Sequence, residues 1–269
     1  MSDVSKILIV DASKLARMLT KKTILKVKKN TEIMMAGSVE EAKTIIKAHR
    51  IEILITSLVL PDGDGIEICK FVRTGQHYMP VLVVSGDVDE RVQDRMMSAD
   101  VTDYLDKSKG QAGLQFFIKG ILSPKSQVKG HVLYIEDSRV VAHATKKVLA
   151  SHGLTADHVL TITNAIELLG EPEHAKAKYD VILSDYYLKD NETAQYLIEY
   201  VREVQQINKI DLPLVVMTGD ENEKNQRQIL RSGANDLVLK PVDNDVLIKK
   251  VQFQIRFKQF QTLENAKTA

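Results

Sequence analysis

The sequence predicts two α/β domains in tandem, each a (βα)5 unit built on a doubly wound parallel sheet. Three observations carry this expectation. Short runs of Ile, Leu and Val alternate with longer amphipathic stretches along the chain. The apolar runs are nearly continuous, so both faces of each sheet must be covered, which calls for parallel strands joined by right-handed helical crossovers. The pattern also occurs twice: "ILIVDAS" from residue 7 answers to "VLYIEDS" from 132, "PVLVVSGD" from 80 to "PLVVMTGD" from 213, and "DYLDKS" from 103 to "DLVLKP" from 236.

In chain order, "ILIV" is the first strand of the first copy and ends at Asp11. "ILITSLVLPDGDG", from residue 53, is a strand running into a turn with Ser57 at the junction. Its "PDGDG" resembles the start of a calcium loop but lacks the closing acidic residue in a suitable frame, so a tight turn is expected. "GIEICKFVR" reads as a helix with Cys69 packed inside it, and "PVLVVS" and "DYLD" are the last two strands of this copy. "SPKSQVKG", polar and punctuated by Pro and Gly, is the linker. The expected domains are therefore 1–123 and 131–263, with residues 124–130 between them.

In the second copy, "EDSRVVAHATKKVLASHG" reads as a helix capped by Ser138, with Val141, Ala144 and Val148 on its inner face and Gly153 at its end. "VILS" runs into Asp185, "PLVVM" into Thr218 and "DLVL" into Lys240. Two insertions relative to the first copy, "GEPEHAKAKYD" and "EVQQINKIDLP", fall where helices or loops belong. In the last helix Leu247, Val251 and Ile255 form a stripe expected on the sheet, and Phe253, Phe257 and Phe260 a second stripe. A helix running past the domain places part of that second stripe outside its own core, for a dimer partner, the first domain or an output domain; the alternative is that all three phenylalanines pack internally. Lys249, Lys250, Arg256 and Lys258 are expected on a solvated face.

Bulk properties narrow the function. With 37 basic and 36 acidic residues, the overall field does not favour nucleic acid or an anionic membrane as the main partner. No apolar run approaches the length of a bilayer span, and a cytoplasmic protein is expected. A single cysteine excludes an internal disulfide and a multi-cysteine metal site, and His152 and His158 lack a third partner for zinc.

Ligands of such sheets bind at the carboxyl ends of the strands, where the strand order reverses. Glu136, Asp137, Asp185, Thr218 and Lys240 all stand there in the second copy. Three carboxylates that close repel one another by about 4 kcal/mol per pair at 4 Å and an effective dielectric near 20, so they call for a counter-charge. A hard dication with oxygen ligands fits, Mg²⁺ best and Mn²⁺ as an alternative. A carboxylate beside a metal, a lysine and a hydroxyl is arranged to attack a phosphoryl group.

These residues, in this order and twice over, resemble the receiver domain of two-component response regulators, whose fold is flavodoxin-like. The resemblance implies that Asp185 is the phosphoacceptor and that Glu136 and Asp137 hold the metal with Asp185 and the carbonyl of Tyr187. It implies further that Thr218, Lys240 and the backbone N–H groups of Tyr186 and Gly219 bind phosphoryl oxygens. The implied partner is a histidine kinase or phosphotransfer protein.

The equivalent places in the first copy hold Asp11, Ala12, Ser57, Ser85 and Lys107. Two of three carboxylates are missing, and a serine with no base beside it is a poor nucleophile. The first domain is therefore expected to be a pseudo-receiver acting in dimerisation or partner docking. The fifth strand of the second copy carries Leu237 where the first has Tyr104, which departs from the family's threonine and aromatic switch. The alternative reading is the regulatory input half of a larger enzyme such as a diguanylate cyclase, although no cyclase motif lies within these residues.

Overall fold

The computed structural model describes residues 5–73, 79–86, 101, 103–107, 110–122 and 128–268. The chain divides into two compact units, Met1–Ser123 and Pro124–Ala269. Residues 124–127 of the expected linker lie outside the described residues.

The first unit contains β1 (Ser5–Val10), α1 (Lys14–Val27), β2 (Thr31–Ala36), α2 (Val39–Ala48), β3 (Ile53–Thr56), the short pair β4 (Val59–Leu60) and β5 (Gly63–Asp64), α3 (Gly65–Arg73), β6 (Val81–Ser85), β7 (Asp103–Asp106) and α4 (Gly110–Leu122). Its sheet runs β2-β1-β3-β6-β7, all parallel. Ser13 and Ser38 cap α1 and α2, accepting from the N–H of Ala16 and Glu41, both at 3.2 Å. Leu8, Leu54, Val81 and Val83 lie fully inside the core beneath Ile68 and Cys69 of α3.

"PDGDG" forms the tight turn expected of it, pairing Val59 with Asp64 and Leu60 with Gly63 in an antiparallel hairpin. Gly65 closes that hairpin through an N–H to Leu58 O bond of 2.8 Å, and a Cβ there would lie 2.0 Å from Ser57 O. Only glycine permits such an approach of one backbone to another.

The second unit contains β8 (Gly130–Ile135), α5 (Arg139–Ser151), β9 (Leu154–Val159), α6 (Ile162–Leu169), α7 (Pro172–Lys178), β10 (Val181–Asp185), α8 (Ala194–Glu199), β11 (Leu214–Thr218), α9 (Glu223–Ser232), β12 (Asp236–Leu239) and α10 (Asn244–Thr268). Its sheet, β9-β8-β10-β11-β12, repeats the order of the first. Both units thus have the flavodoxin-like order, with the switch point between the first and third long strands.

The first insertion supplies α7, opened by Pro172. The second is tied down by Arg202. Its guanidinium donates to the carbonyls of Ile207 (3.0 Å), Asn208 (3.2 Å), Leu212 (3.0 Å) and Gly233 (3.0 Å), and to Asn235 Oδ1 (3.1 Å). Burial lowers its pKa to about 10.

Two expectations about helix faces need correction. Ser138 does cap α5, accepting from Val141 N at 3.4 Å, but the buried face carries Ala142, Thr145 and Leu149. Val141 is exposed. The two stripes are neighbours on one helix, and the one bearing Leu149, the largest aliphatic side chain of the six, turns to the sheet.

The cations of α10 are not all solvated. Lys250 is 4% exposed and its Nζ lies 2.6 Å from both Asp236 Oδ1 and Leu237 O. Lys258 donates to the carbonyls of Lys176 (2.9 Å) and Tyr179 (2.6 Å), and burial lowers its pKa. Burial also lowers that of Arg256. Leu247, Val251 and Ile255 pack into the core as expected, and Phe253 joins them in burial while stacking on Phe257 at 6.2 Å. The side chain of Phe260 lies outside the described residues.

Candidate functional site

At the carboxyl edge of the second sheet, β8 delivers Glu136, β10 ends on Asp185, β11 ends on Thr218 and β12 leads into Lys240. Asp185 is 6% exposed, Glu136 2% and Thr218 fully buried. Lys240 Nζ lies 2.6 Å from Asp185 Oδ2. The peptide between Lys240 and Pro241 is cis.

Glu136 is held from several sides. Its Oε1 accepts from the N–H of Ser138 at 3.0 Å, and the Tyr134 hydroxyl lies 3.5 Å from Oε2. His158 Nε2 contacts its carbonyl at 2.7 Å, which gives that histidine a structural place. Burial first, and then the charges of Asp185 and Asp137, hold the Glu136 carboxyl above its ordinary value, against the pull of the Ser138 N–H and Lys240. Burial likewise raises the Tyr134 phenol, with Glu136 and Asp185 adding to the effect. The Glu136 carboxylate is therefore desolvated and short of positive charge.

Among the described residues no three His, Cys, Asp or Glu side chains are grouped to hold a metal ion as the side chains stand. Lys240 is closed onto Asp185 in this arrangement. The carboxylate and carbonyl oxygens at the edge are of the kind a hard dication accepts.

The backbone after Asp185 calls for one correction. The Tyr186 N–H, expected to face a phosphoryl group, donates to Met217 O at 2.8 Å and extends the sheet ladder. Tyr187 pairs with Thr193 in an antiparallel bridge whose bonds are Ala194 N to Tyr186 O (2.8 Å) and Leu188 N to Glu192 O (2.9 Å). The N–H and C=O of Tyr187 take no part in either bond. Backbone alternation thus leaves the amide of Tyr187, one residue further on, beside the carbonyl already expected there. The two-residue period of an extended segment was the signal in the sequence that could have found it.

Thr218 Oγ1 accepts from the N–H of Asp220 at 3.1 Å, which fixes the turn that carries Gly219. A Cβ at Gly219 would meet nothing within 4 Å, so this backbone borders open space. The loop after Asp185, which lacks the Pro and Gly of "LVLPDGDG", differs in shape from that after Ser57. Asp190 and Asn191 both take left-handed φ, 58° and 61°.

In the first unit Asp11 and Ser57 stand at the ends of β1 and β3, and Lys107 follows β7. Asp11 Oδ2 receives Lys107 Nζ at 2.6 Å, Oδ1 accepts from Ser13 N at 2.8 Å, and Arg17 donates to the Asp11 carbonyl. Ala12 is exposed and offers no donor. Ser85 ends β6, but its side chain lies outside the described residues, as does that of Tyr104.

The model of the response regulator receiver domain matches residues 7–118 and again 132–252. The chain belongs to the response regulator receiver family. It carries two receiver domains of two-component signalling, a family that generally binds Mg²⁺ for phosphorylation. The two-component response regulator ORR8 of Oryza sativa subsp. indica is 30% identical over 112 residues, 42% of this chain and 87% of that protein. The autoinducer 2 sensor kinase/phosphatase LuxQ of Vibrio vulnificus (strain YJ016) is 30% identical over 116 residues, 43% of this chain but only 12% of that protein. Among solved structures, a putative two-component system response regulator/GGDEF domain protein matches with a TM-score of 0.43 at 22% identity, covering 97% of this chain and 99% of that one. Among the described residues no helix is long and apolar enough to cross a membrane.

Proposed function

We propose that the second receiver, residues 131–263, accepts a phosphoryl group on Asp185 from a phosphohistidine of a histidine kinase or phosphotransfer protein. The contact of Lys240 with Asp185 at the switch point of the sheet carries this reading. The Asp185 carboxylate attacks phosphorus, the bond from phosphorus to the histidine nitrogen breaks, and an acyl phosphate forms. Lys240 moves from the carboxylate to the phosphoryl oxygens. The Thr218 hydroxyl and the N–H groups of Tyr187 and Gly219 complete the cradle for their charge. Glu136, Asp137, Asp185 and the carbonyl of Tyr187 would hold Mg²⁺, or Mn²⁺ in its place, which supplies the positive charge that the buried carboxylates and the incoming phosphoryl oxygens both need.

The first receiver, residues 1–123, is then a non-phosphorylatable adaptor that serves dimerisation or docking, with residues 124–130 as linker. Asp11 and Lys107 already neutralise one another, and Ser57 lacks a base, so neither metal capture nor attack is supported there. Such a protein works in the cytoplasm, where its kinase presents the phosphohistidine.

Incubation with Mg²⁺ and a small acyl phosphate, followed by intact mass measurement, tests the assignment. One base-labile phosphoryl group is expected, absent in Asp185→Asn and retained in Ser57→Ala. A label that survives Asp185→Asn or disappears with Ser57→Ala reverses it.

A further inference from the structure

The first receiver has lost its acceptor carboxylate, yet its edge is not simply filled in. A cavity of about 240 Å³ lies between α1, α4 and the sheet, walled by Leu19, Ile55, Leu105 and Leu114, with Asp11, Ser57 and Lys107 also in its lining. It is larger than the cavity of roughly 150 Å³ that takes up benzene, and by that scale it holds a body of about ten non-hydrogen atoms.

The polar part of the lining is chemically selective. The edge of the second receiver sets Glu136, Asp137 and Asp185 against Lys240, two negative charges in excess. The corresponding edge here sets Asp11 against Lys107 and the Arg17 guanidinium, which donates to the Asp11 carbonyl, and has one positive charge in excess. The Lys107 ammonium carries three donors, of which Asp11 takes one at 2.6 Å. The Ser57 hydroxyl, in a residue 8% exposed, lines the same cavity and can donate as well. A carboxylate placed beside both would accept from each and would occupy the place of the missing aspartate.

We propose that the first receiver binds a small monocarboxylate with an aliphatic body, its head between Lys107 and Ser57 and its tail in the apolar cavity. Burial of that tail supplies most of the affinity, and the charge-assisted bonds to the head supply the selectivity. Nothing in this proposal rests on the assignment of Asp185.

Isothermal titration of the full chain with octanoate, whose ten non-hydrogen atoms match the cavity, tests the site. Saturable one-to-one binding is expected, with octanol weaker by about tenfold or more because it cannot pair with the ammonium. Ala16→Phe, which introduces a ring into the lining, should abolish the heat. Lys107→Met keeps the walls and should weaken octanoate to the level of octanol, which keeps the test decisive should Ala16→Phe disturb the fold. Ser57→Ala should weaken octanoate by about fivefold. Absence of saturable heat with the natural chain overturns the proposal, as do equal affinities for octanoate and octanol or undiminished binding by Lys107→Met.

Discussion

Lys240 Nζ lies 2.6 Å from Asp185 Oδ2, reaching from the end of β12 across β11 to the end of β10. In the first domain the matching lysine turns elsewhere: Lys107 Nζ lies 2.6 Å from Asp11 Oδ2, at the end of β1. A lysine goes to the carboxylate available, and Ser57 offers none. The changed partner follows from the loss of the carboxylate at the end of the third long strand.

Lys240→Met should lower the rate of Asp185 phosphorylation by about a hundredfold, because the charge developing on the phosphoryl oxygens loses its mobile counter-ion. Stability should change by no more than about 1 kcal/mol, since the Lys240 side chain is 36% exposed and its pair is partly screened. Timed intact mass measurements with an acyl phosphate, alongside urea unfolding, check both halves.

Glu136→Gln should stabilise the chain at neutral pH. Burial, aided by Asp185 and Asp137, holds the folded Glu136 carboxyl above its ordinary value. The folded state therefore keeps a proton that the unfolded state has already released, and stability falls as pH rises from the ordinary glutamate range through the raised value. Urea unfolding of the two forms should diverge above that window and converge below it. Added Mg²⁺ should stabilise the natural chain, by about 2.7 kcal/mol at a hundred times its dissociation constant, and the variant less.

Asp157 has the opposite sign. Burial, the largest single influence, raises its pKa, but bonds from His131, Tyr179 and Lys178 together outweigh it and bring the value down to about 2. Its contribution is present above the ordinary aspartate value near pH 4 and is lost as pH falls toward about 2. Asp157→Asn should flatten the dependence of unfolding free energy on pH in that acid window.

Lys250→Met should cost about 3–5 kcal/mol, because it leaves Asp236 charged and 1% exposed without its ammonium. Replacing both partners by apolar residues of similar volume should recover most of the loss. Denaturant titrations of the single and double variants check this.

Gly65→Ala should destabilise the first domain by about 1–3 kcal/mol, since a Cβ at 2.0 Å from Ser57 O forces the hairpin apart. Phosphate uptake by Asp185 should be unchanged. Unfolding and labelling measured on the same sample separate the two effects.

Much of this was legible in the sequence because period and repetition survive without tertiary information. The strands around Asp11, Ser57, Asp185, Thr218 and Lys240 could be read from apolar runs ending in polar residues, and the repeat fixed their order. Faces of helices were less legible: in α5 the two stripes differ by one residue, and only packing against the sheet decides between Val141 and Ala142. The burial of Lys250 was invisible, because its partner Asp236 comes from another element and lysines at helical spacing look alike whether solvated or paired. The Tyr187 amide was missed for a related reason, since which N–H faces out depends on the register of the bridge with Thr193.

The residues by which the second receiver outgrows the first are not slack. One guanidinium, that of Arg202, gathers the Ile207, Asn208 and Leu212 carbonyls together with those of the turn at Gly233 and Asn235. Trimming this segment to the length of its counterpart in the first receiver would take the Ile207, Asn208 and Leu212 carbonyls from that buried cation and leave it only Gly233 O and Asn235 Oδ1. The longer connection and Arg202 must therefore be inherited, grafted or deleted as a single piece.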